Sequence, residues 1–190
     1  MDLDFMVKIR IEEILARITR PGKDELIKFL VNSDFYTAPA STRFHGSYAG
    51  GLANHSLEVY NLLWLKAEQF NFNVSEDTLA ICGLLHDVCK INLYVMGKKN
   101  VKENGKWSEK DVWEHRDSFP MGHGEKSVYI INKFFDLSDE EALAIRWHMG
   151  FSEPRELWSS LSDAFNKSPL VTALFTSDME ASHILENMPT

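Results

Sequence analysis

The chain has 190 residues, of which 44% are hydrophobic, and this is enough apolar material for a buried core. Its 20 Lys and Arg against 28 Asp and Glu give a formal net charge of −8. This composition excludes a disordered or collagen-like chain, and the acidic charge argues against a long nucleic acid duplex as partner. The sequence has no apolar run of about 20 residues and no signal-peptide pattern, which predicts a cytoplasmic protein that does not contact a membrane.

The spacing of apolar residues predicts helices along most of the chain. An apolar stripe over residues 2–19 stops at Pro21, and a second short helix covers residues 24–32, so residues 1–34 form an N-terminal helical part. A loop rich in small polar residues extends from residue 32 to residue 51. Further helices are predicted over residues 52–70, 76–89, 124–135, 138–150, 155–165 and 169–185. We therefore predict one all-α domain over residues 1–190.

Local signals mark the helix starts and one interruption. Ser75 has the character of an N-cap, and Ser138 with Glu141 has the spacing of a capping box. Residues 94–118 break the helical pattern, and Asn104-Gly105 is typical of a two-residue turn, so this segment is predicted to be a β-hairpin insertion. We hypothesise that the hairpin forms a flap near the mouth of the site and contributes to substrate choice; a solvated hairpin is the alternative.

Two cysteines and several polar residues define the candidate chemistry. Cys82 and Cys89 are seven positions apart on a predicted helix, so their Cα atoms lie about 10 Å apart, too far for a disulfide. Two thiols do not make a Cys-rich zinc site, so metal chemistry must rest on histidines and carboxylates. Histidines also occupy core-facing positions on four predicted helices: His55, His86, His123 and His148.

Asp178 stands in the middle of an apolar stripe on the last helix, formed by Val171, Leu174, Ala181 and Leu185. A buried carboxylate without a partner costs several kcal/mol, so it needs a cation or strong donors. A single inward histidine is usually a core residue bonded to a backbone carbonyl. Four histidines and two aspartates, in contrast, are satisfied together by one metal site.

The second aspartate, Asp87, directly follows His86. Neighbouring side chains on a helix point about 100° apart, so both reach one point only where the helix ends. Asn92 and the polar insertion predict that the helix ends just after this doublet. There, Asp87 could offer one oxygen to each of two ions and act as a bridging carboxylate.

This ordered set resembles the motif of the HD-domain metal-dependent phosphohydrolases: His55, the doublet in LLHDVCK and Asp178 in FTSDMEAS. His123 in MGHGEK and His148 in IRWHMG resemble the two added histidines of members with two-metal sites. The stretch FHGSYAGGLANHSLEVY is also similar to the HD portion of bacterial 3′-5′ exoribonucleases. The resemblance covers about residues 35–182. Cys89 stands where the commonest pattern has glycine, and we interpret it as a small core residue.

The resemblance implies an HD-domain helical bundle with one or two divalent ions (Mn, Fe, Co, Ni, Zn or Mg). It implies hydrolysis of a phosphomonoester or phosphodiester by a metal-activated hydroxide, with a small phosphorylated substrate such as a nucleotide or a short oligonucleotide. Asp87 and Lys90 are the implied catalytic residues. The implied metal ligands are His55, His86, Asp87, His123, His148 and Asp178.

Basic side chains are the candidates for binding phosphate oxygens: Lys90, Arg43 and Arg146. For Arg146 the alternative is a surface ion pair, and for Arg43 and His45 it is a solvated loop. His115, in the hairpin, could donate a proton to a leaving group or be merely exposed.

Two other functions fit the same ligands. One is a mixed-valent di-iron oxygenase, which paired iron and oxygen consumption would identify. The other is a non-catalytic metal or nucleotide sensor, although the intact ligand set and Lys90 argue against it.

Overall fold

The computed structural model describes residues 3–103 and 105–186. Within them it contains eight α-helices: α1 (Leu3–Ala16), α2 (Lys23–Asn32), α3 (Gly51–Phe70), α4 (Glu76–Leu85), α5 (His123–Ile131), α6 (Asp139–Trp147), α7 (Trp158–Lys167) and α8 (Pro169–Glu180). Strands β1 (Tyr94–Glu103) and β2 (Lys106–His115) pair in an antiparallel hairpin. The predicted fold class, a helical bundle with a hairpin insertion, is confirmed. In the described part of the chain, no helix has the length and apolar character needed to span a bilayer.

Helix boundaries differ from the predicted ones mainly at C-terminal ends. The helix predicted to reach residue 89 stops at Leu85, and a 3₁₀ turn over Val88–Lys90 follows it. The last predicted helix is divided into α8 and a π-helical turn over Ala181–Leu185. Leu185 is 39% exposed, so the apolar stripe of α8 does not extend to it. Of the predicted Asn104-Gly105 turn, Asn104 lies outside the described residues.

Both predicted N-caps form. The Ser75 hydroxyl accepts a hydrogen bond from the backbone N–H of Thr78, which starts α4. Ser138 and Glu141 make the reciprocal capping box at the start of α6. These caps begin the two helices whose C-terminal ends carry His86 and His148.

One hydrophobic core joins α1, α3, α4, α6 and α8. Helix α3 lies at its centre, in contact with α1, α4 and α8. Helix α4 approaches α3 closely at Gly83, where a Cβ atom would lie 2.6 Å from the Cα of Tyr60. The close approach brings the end of α4, with His86, next to His55 on α3.

A buried acid, Glu141, connects three segments around this core. Its carboxylate accepts hydrogen bonds from the guanidinium of Arg20 after α1 (2.8 Å from Nη1), from the hydroxyl of Thr78 on α4 (2.7 Å) and from the backbone N–H of Ser138 (2.9 Å). The Glu141 side chain is 0% exposed, and these hydrogen bonds compensate its buried charge.

Candidate metal centre and substrate cavity

The six side chains predicted as ligands come from five segments and meet in one cluster. They are His55 on α3, His86 and Asp87 after α4, His123 at the start of α5, His148 after α6, and Asp178 near the end of α8. Because α4 ends at Leu85 and the backbone changes direction there, both members of the doublet reach the cluster. This is the helix end that the doublet requires.

Asp87 is buried at the centre of the cluster, and its two oxygens face different imidazoles. Oδ1 lies 2.6 Å from Nε2 of His123 and 3.4 Å from Nε2 of His148. Oδ2 lies 3.6 Å from Nε2 of His55 and 3.7 Å from Nε2 of His86. One carboxylate is therefore shared between two pairs of histidines.

The second carboxylate lies on the His55 side of the cluster. Oδ1 of Asp178 is 3.2 Å from Nε2 of His55, and that nitrogen is also 3.2 Å from Nε2 of His86. Three groups of donor atoms have spacings of 4.8 Å or less, which suit a metal ion: His55, His86 and Asp178; His86, Asp87 and His148; and Asp87, Cys89 and His123.

The protonation pattern of the histidines tests whether a cation fits. Nδ1 of His86 contacts the carbonyl of Gly83 at 2.9 Å, and Nδ1 of His148 contacts the carbonyl of Ile145 at 2.6 Å. A carbonyl only accepts hydrogen bonds, so Nδ1 carries a proton in both rings, and the neutral form of each ring presents an Nε2 lone pair. Nε2 of His148 is buried without a hydrogen-bond partner among the described residues. Lone pairs and carboxylates that converge in this way fit a metal ion.

The pKa values of His55, His86 and Asp87 are shifted in directions that also fit a bound cation. Burial would lower the pKa of His55, but its contacts with Asp178 and Glu186 raise it to about 9. Burial lowers the pKa of His86 to about 3, so this imidazole is neutral. Burial opposes ionisation of Asp87, yet the neighbouring Lys90 ammonium, helped by the histidines, holds the pKa of Asp87 well below its usual range. The cluster thus contains an anionic carboxylate surrounded by histidine nitrogens.

A cavity of about 470 Å³ opens onto this cluster. Lys90 lines it, and its ammonium lies 2.5 Å from Oδ2 of Asp87. The other residues that line the cavity include Ser41, Phe44, His45, Tyr94, Met149, Asp178, Met179 and Ser182. The structure therefore brings Lys90 together with the candidate ligands.

Neither candidate arginine joins this site. Arg146 lies between Glu125 and Glu153, at 2.6 Å from each carboxylate, so its charge is already neutralised away from the cavity. Arg43 is exposed and lines a separate groove beside the hairpin. Both residues are absent from the lining of the cavity, and their binding of substrate phosphate stays a prediction.

The hairpin adjoins the site only at its base. Tyr94, the first residue of β1, lines the cavity, whereas His115, the last residue of β2, is exposed and lines a smaller pocket beside His123. A role of the hairpin as a flap remains a prediction.

Three site residues were not assigned to the site by sequence reasoning. Cys89, interpreted as a core residue, has its sulfur 3.5 Å from Nδ1 of His123. Burial raises the pKa of the Cys89 thiol to about 12. His45, left open as a loop residue, lines the cavity. Glu186 places Oε1 2.7 Å from Nδ1 of His55 and is nearly fully buried.

Replacement of Glu186 by alanine is expected to weaken metal binding by about 10- to 100-fold, because a carboxylate that holds the far nitrogen of a ligand histidine fixes its orientation. Competition of Mn²⁺ or Co²⁺ with a chelator measures the affinity. Glu186→Gln should restore part of it, since the amide oxygen also accepts from Nδ1. The charge-matched control is Glu156→Ala, which removes an exposed acid that is not among the candidate ligands. Equal affinities of Glu186→Ala and the control would refute the role of Glu186.

Comparison with known proteins agrees with this geometry. The HD domain family model matches residues 52–178, which include all six candidate ligands. The chain therefore belongs to the HD domain family, and this part of the resemblance is confirmed. The chain is also similar to dihydroneopterin 2′,3′-cyclic phosphate phosphodiesterase of Methanocaldococcus jannaschii, with 31% identity over 90 residues. That match covers 45% of this chain and 32% of the relative, so it spans about a third of the relative's length. No solved structure gives a significant match.

Proposed function

We propose that this protein is a metal-dependent phosphohydrolase that cleaves a phosphomonoester or phosphodiester of a small molecule, such as a nucleotide or short oligonucleotide. The observation that carries the proposal is the environment of Asp87. Its two oxygens face separate pairs of histidines, and the Lys90 ammonium contacts one of them at the wall of a cavity. This arrangement matches a phosphoryl-transfer site with a shared carboxylate.

The proposed ligands form two sets that share Asp87: His55, His86 and Asp178 with Oδ2, and His123 and His148 with Oδ1. When bound there, divalent ions supply Lewis-acid polarisation of phosphoryl oxygens and activation of water as the nucleophile. Imidazole and carboxylate donors suit Mn, Fe, Co, Ni or Zn. The nearby Cys89 sulfur adds a softer donor to the second set.

Lys90 supplies the positive charge that the chain itself brings to the substrate. Its side chain is 10% exposed, and Asp87 holds its ammonium at the cavity wall. In this position it can bind a non-bridging phosphate oxygen as a point charge and neutralise the charge that develops there. Asp87 thus has two roles, as shared ligand and as the group that orients Lys90.

The size of the cavity favours a small substrate. Its volume of about 470 Å³ lies within the roughly 300–1,000 Å³ typical of small-molecule sites. The relative named above acts on a 2′,3′-cyclic phosphate, so a cyclic phosphodiester belongs to the proposed substrate class. Because the sequence also resembles the HD portion of 3′-5′ exoribonucleases, the proposed substrate class includes the end of a short oligonucleotide.

A reconstitution screen tests the proposal. Metal-free protein receives Mn²⁺, Fe²⁺, Co²⁺, Ni²⁺, Zn²⁺ or Mg²⁺ separately and is assayed with p-nitrophenyl phosphate, bis-p-nitrophenyl phosphate and nucleoside 2′,3′-cyclic phosphates. We expect hydrolysis with at least one ion and none after chelation. Absence of hydrolysis with every ion would contradict the proposal. Iron bound as a pair together with oxygen consumption would support the oxygenase instead.

A further inference from the structure

The cavity has a second wall that the six candidate ligands do not form. His45 belongs to this wall, and its ring centroid lies 5.0 Å from that of His55. Nε2 of His45 is buried and has no hydrogen-bond partner among the described residues. Buried polar atoms are normally paired, and His45 belongs to none of the three groups of metal-ligand donors. His45 thus brings an uncommitted ring nitrogen to the cavity lining.

The loop that carries His45 is held in place by its own hydrogen bonds. The Ser41 hydroxyl donates to the carbonyl of His45 and accepts from the backbone N–H of Phe44, both at 2.8 Å. A Cβ atom on Gly51 would lie 2.0 Å from the carbonyl oxygen of Gly46, so glycine lets this loop rest on the first turn of α3. His45 is thus preorganised beside the candidate metal centre rather than placed at random on a loop.

Phe44, the neighbour of His45, lines the same cavity from the solvent side. Its side chain is 80% exposed, the highest value among the exposed large hydrophobic residues described. Met149 and Met179 also line the cavity, which therefore combines apolar side chains with the charged pair Asp87 and Lys90. An aromatic side chain this exposed contributes little to the core but gains apolar contact when a ligand covers it.

We propose that residues 40–46 form a substrate-binding loop, in which His45 hydrogen bonds an oxygen of the phosphate ester and Phe44 packs against the organic group. The inference rests on the proposed phosphohydrolase function and specifies its substrate as an ester of a planar ring compound. The phosphate lies between Lys90 and His45, and the ring projects past Phe44 towards solvent.

The His45 contact is tested with His45→Ala, His45→Gln and the control Gln69→Ala, all loaded with the same metal. We expect kcat/KM of His45→Ala to fall by about 10- to 100-fold for every ester, because a hydrogen bond to a charged group is lost. Gln, which keeps a polar group, restores part of the rate. Metal content stays at the wild-type value. Gln69 is exposed near the C-terminal end of α3, at the opposite end of the helix from His55, so its variant keeps the wild-type rate.

The Phe44 contact is tested with Phe44→Ala and two kinds of ester. We expect KM to rise about 2- to 10-fold for nucleoside 2′,3′-cyclic phosphates, since aromatic packing is lost, and to stay unchanged for glycerol phosphate, which has no ring. An equal change for both esters would contradict the Phe44 role. Phe44 is exposed, so its loss leaves stability unchanged.

Binding of inorganic phosphate, measured by calorimetry on the same metal-loaded variants, tests His45 without turnover. Weaker binding by His45→Ala supports the inference. Unchanged phosphate affinity together with an unchanged kcat/KM overturns it while leaving the proposed function intact. A metal-loaded wild-type protein that hydrolyses no ester contradicts the proposed function, and phosphate binding then decides the His45 contact separately.

Discussion

Asp87→Asn is expected to lower the rate of phosphate ester hydrolysis by about 10³-fold and to reduce the metal content of the purified protein. Both oxygens of Asp87 face imidazole donors, so removal of its charge weakens the ligand set on both sides. Metal ions stabilise phosphoryl-transfer transition states by several kcal/mol, and each 1.36 kcal/mol is a factor of ten in rate. Elemental analysis and steady-state kinetics on one preparation measure the two effects.

The control for this variant is Asp163→Asn, an exposed aspartate on α7 that should change neither quantity. Because Asp87 is also the partner of the buried Lys90, circular dichroism must establish that the variant folds. A second variant, His123→Ala, removes a half-buried side chain whose Nε2 lies 2.6 Å from Oδ1 of Asp87. We expect it to lose one of two ions per chain. A folded Asp87→Asn protein with full metal content and full activity would refute the assignment.

Glu141→Ala is expected to lower the free energy of unfolding by about 3–5 kcal/mol, because it leaves the Arg20 guanidinium and the Thr78 hydroxyl without their shared partner. For a chain of this size, that loss lowers Tm by roughly 6–20 °C. Urea denaturation followed by circular dichroism measures the change. Glu140→Ala replaces the exposed neighbouring acid and should cost less than about 1 kcal/mol.

A double variant shows whether the stability lost in Glu141→Ala comes from the unpaired Arg20 charge or from the smaller side-chain volume. Arg20→Met combined with Glu141→Leu replaces the whole ion pair with apolar side chains of similar size, and it should recover most of the stability lost in Glu141→Ala. If the free energy of unfolding of Glu141→Ala lies within about 1 kcal/mol of the wild-type value, the buried network does not have the structural importance that its contacts indicate.

The cluster of candidate ligands could be predicted from sequence because its residues depart from local rules. Asp178 interrupts an apolar stripe, and His86 with Asp87 forms a doublet that needs a helix end. Both signals are local: helical periodicity decides which side chains face the core, and the end of α4 decides that two neighbours can meet. The capping box at Ser138 followed from spacing alone in the same way.

The parts that could not be predicted depend on contacts between distant segments. Glu186 lies 131 positions from His55, and no periodic pattern relates them. His45 enters the site because its loop rests on α3 at Gly51, a contact that depends on the tertiary fold. For Arg146 the sequence could suggest an ion pair but not its partners, because Glu125 and Glu153 belong to other elements of the fold.

We propose that this cluster binds metal ions and hydrolyses a phosphate ester with them. Titration of metal-free protein with Mn²⁺, with hydrolysis of bis-p-nitrophenyl phosphate recorded at each addition, tests it most directly. We predict that the rate rises with occupancy and saturates at two ions per chain, in line with the two sets of donors that share Asp87. A rate that is the same without metal, or no hydrolysis at full occupancy with any ion of the reconstitution series, would contradict the claim.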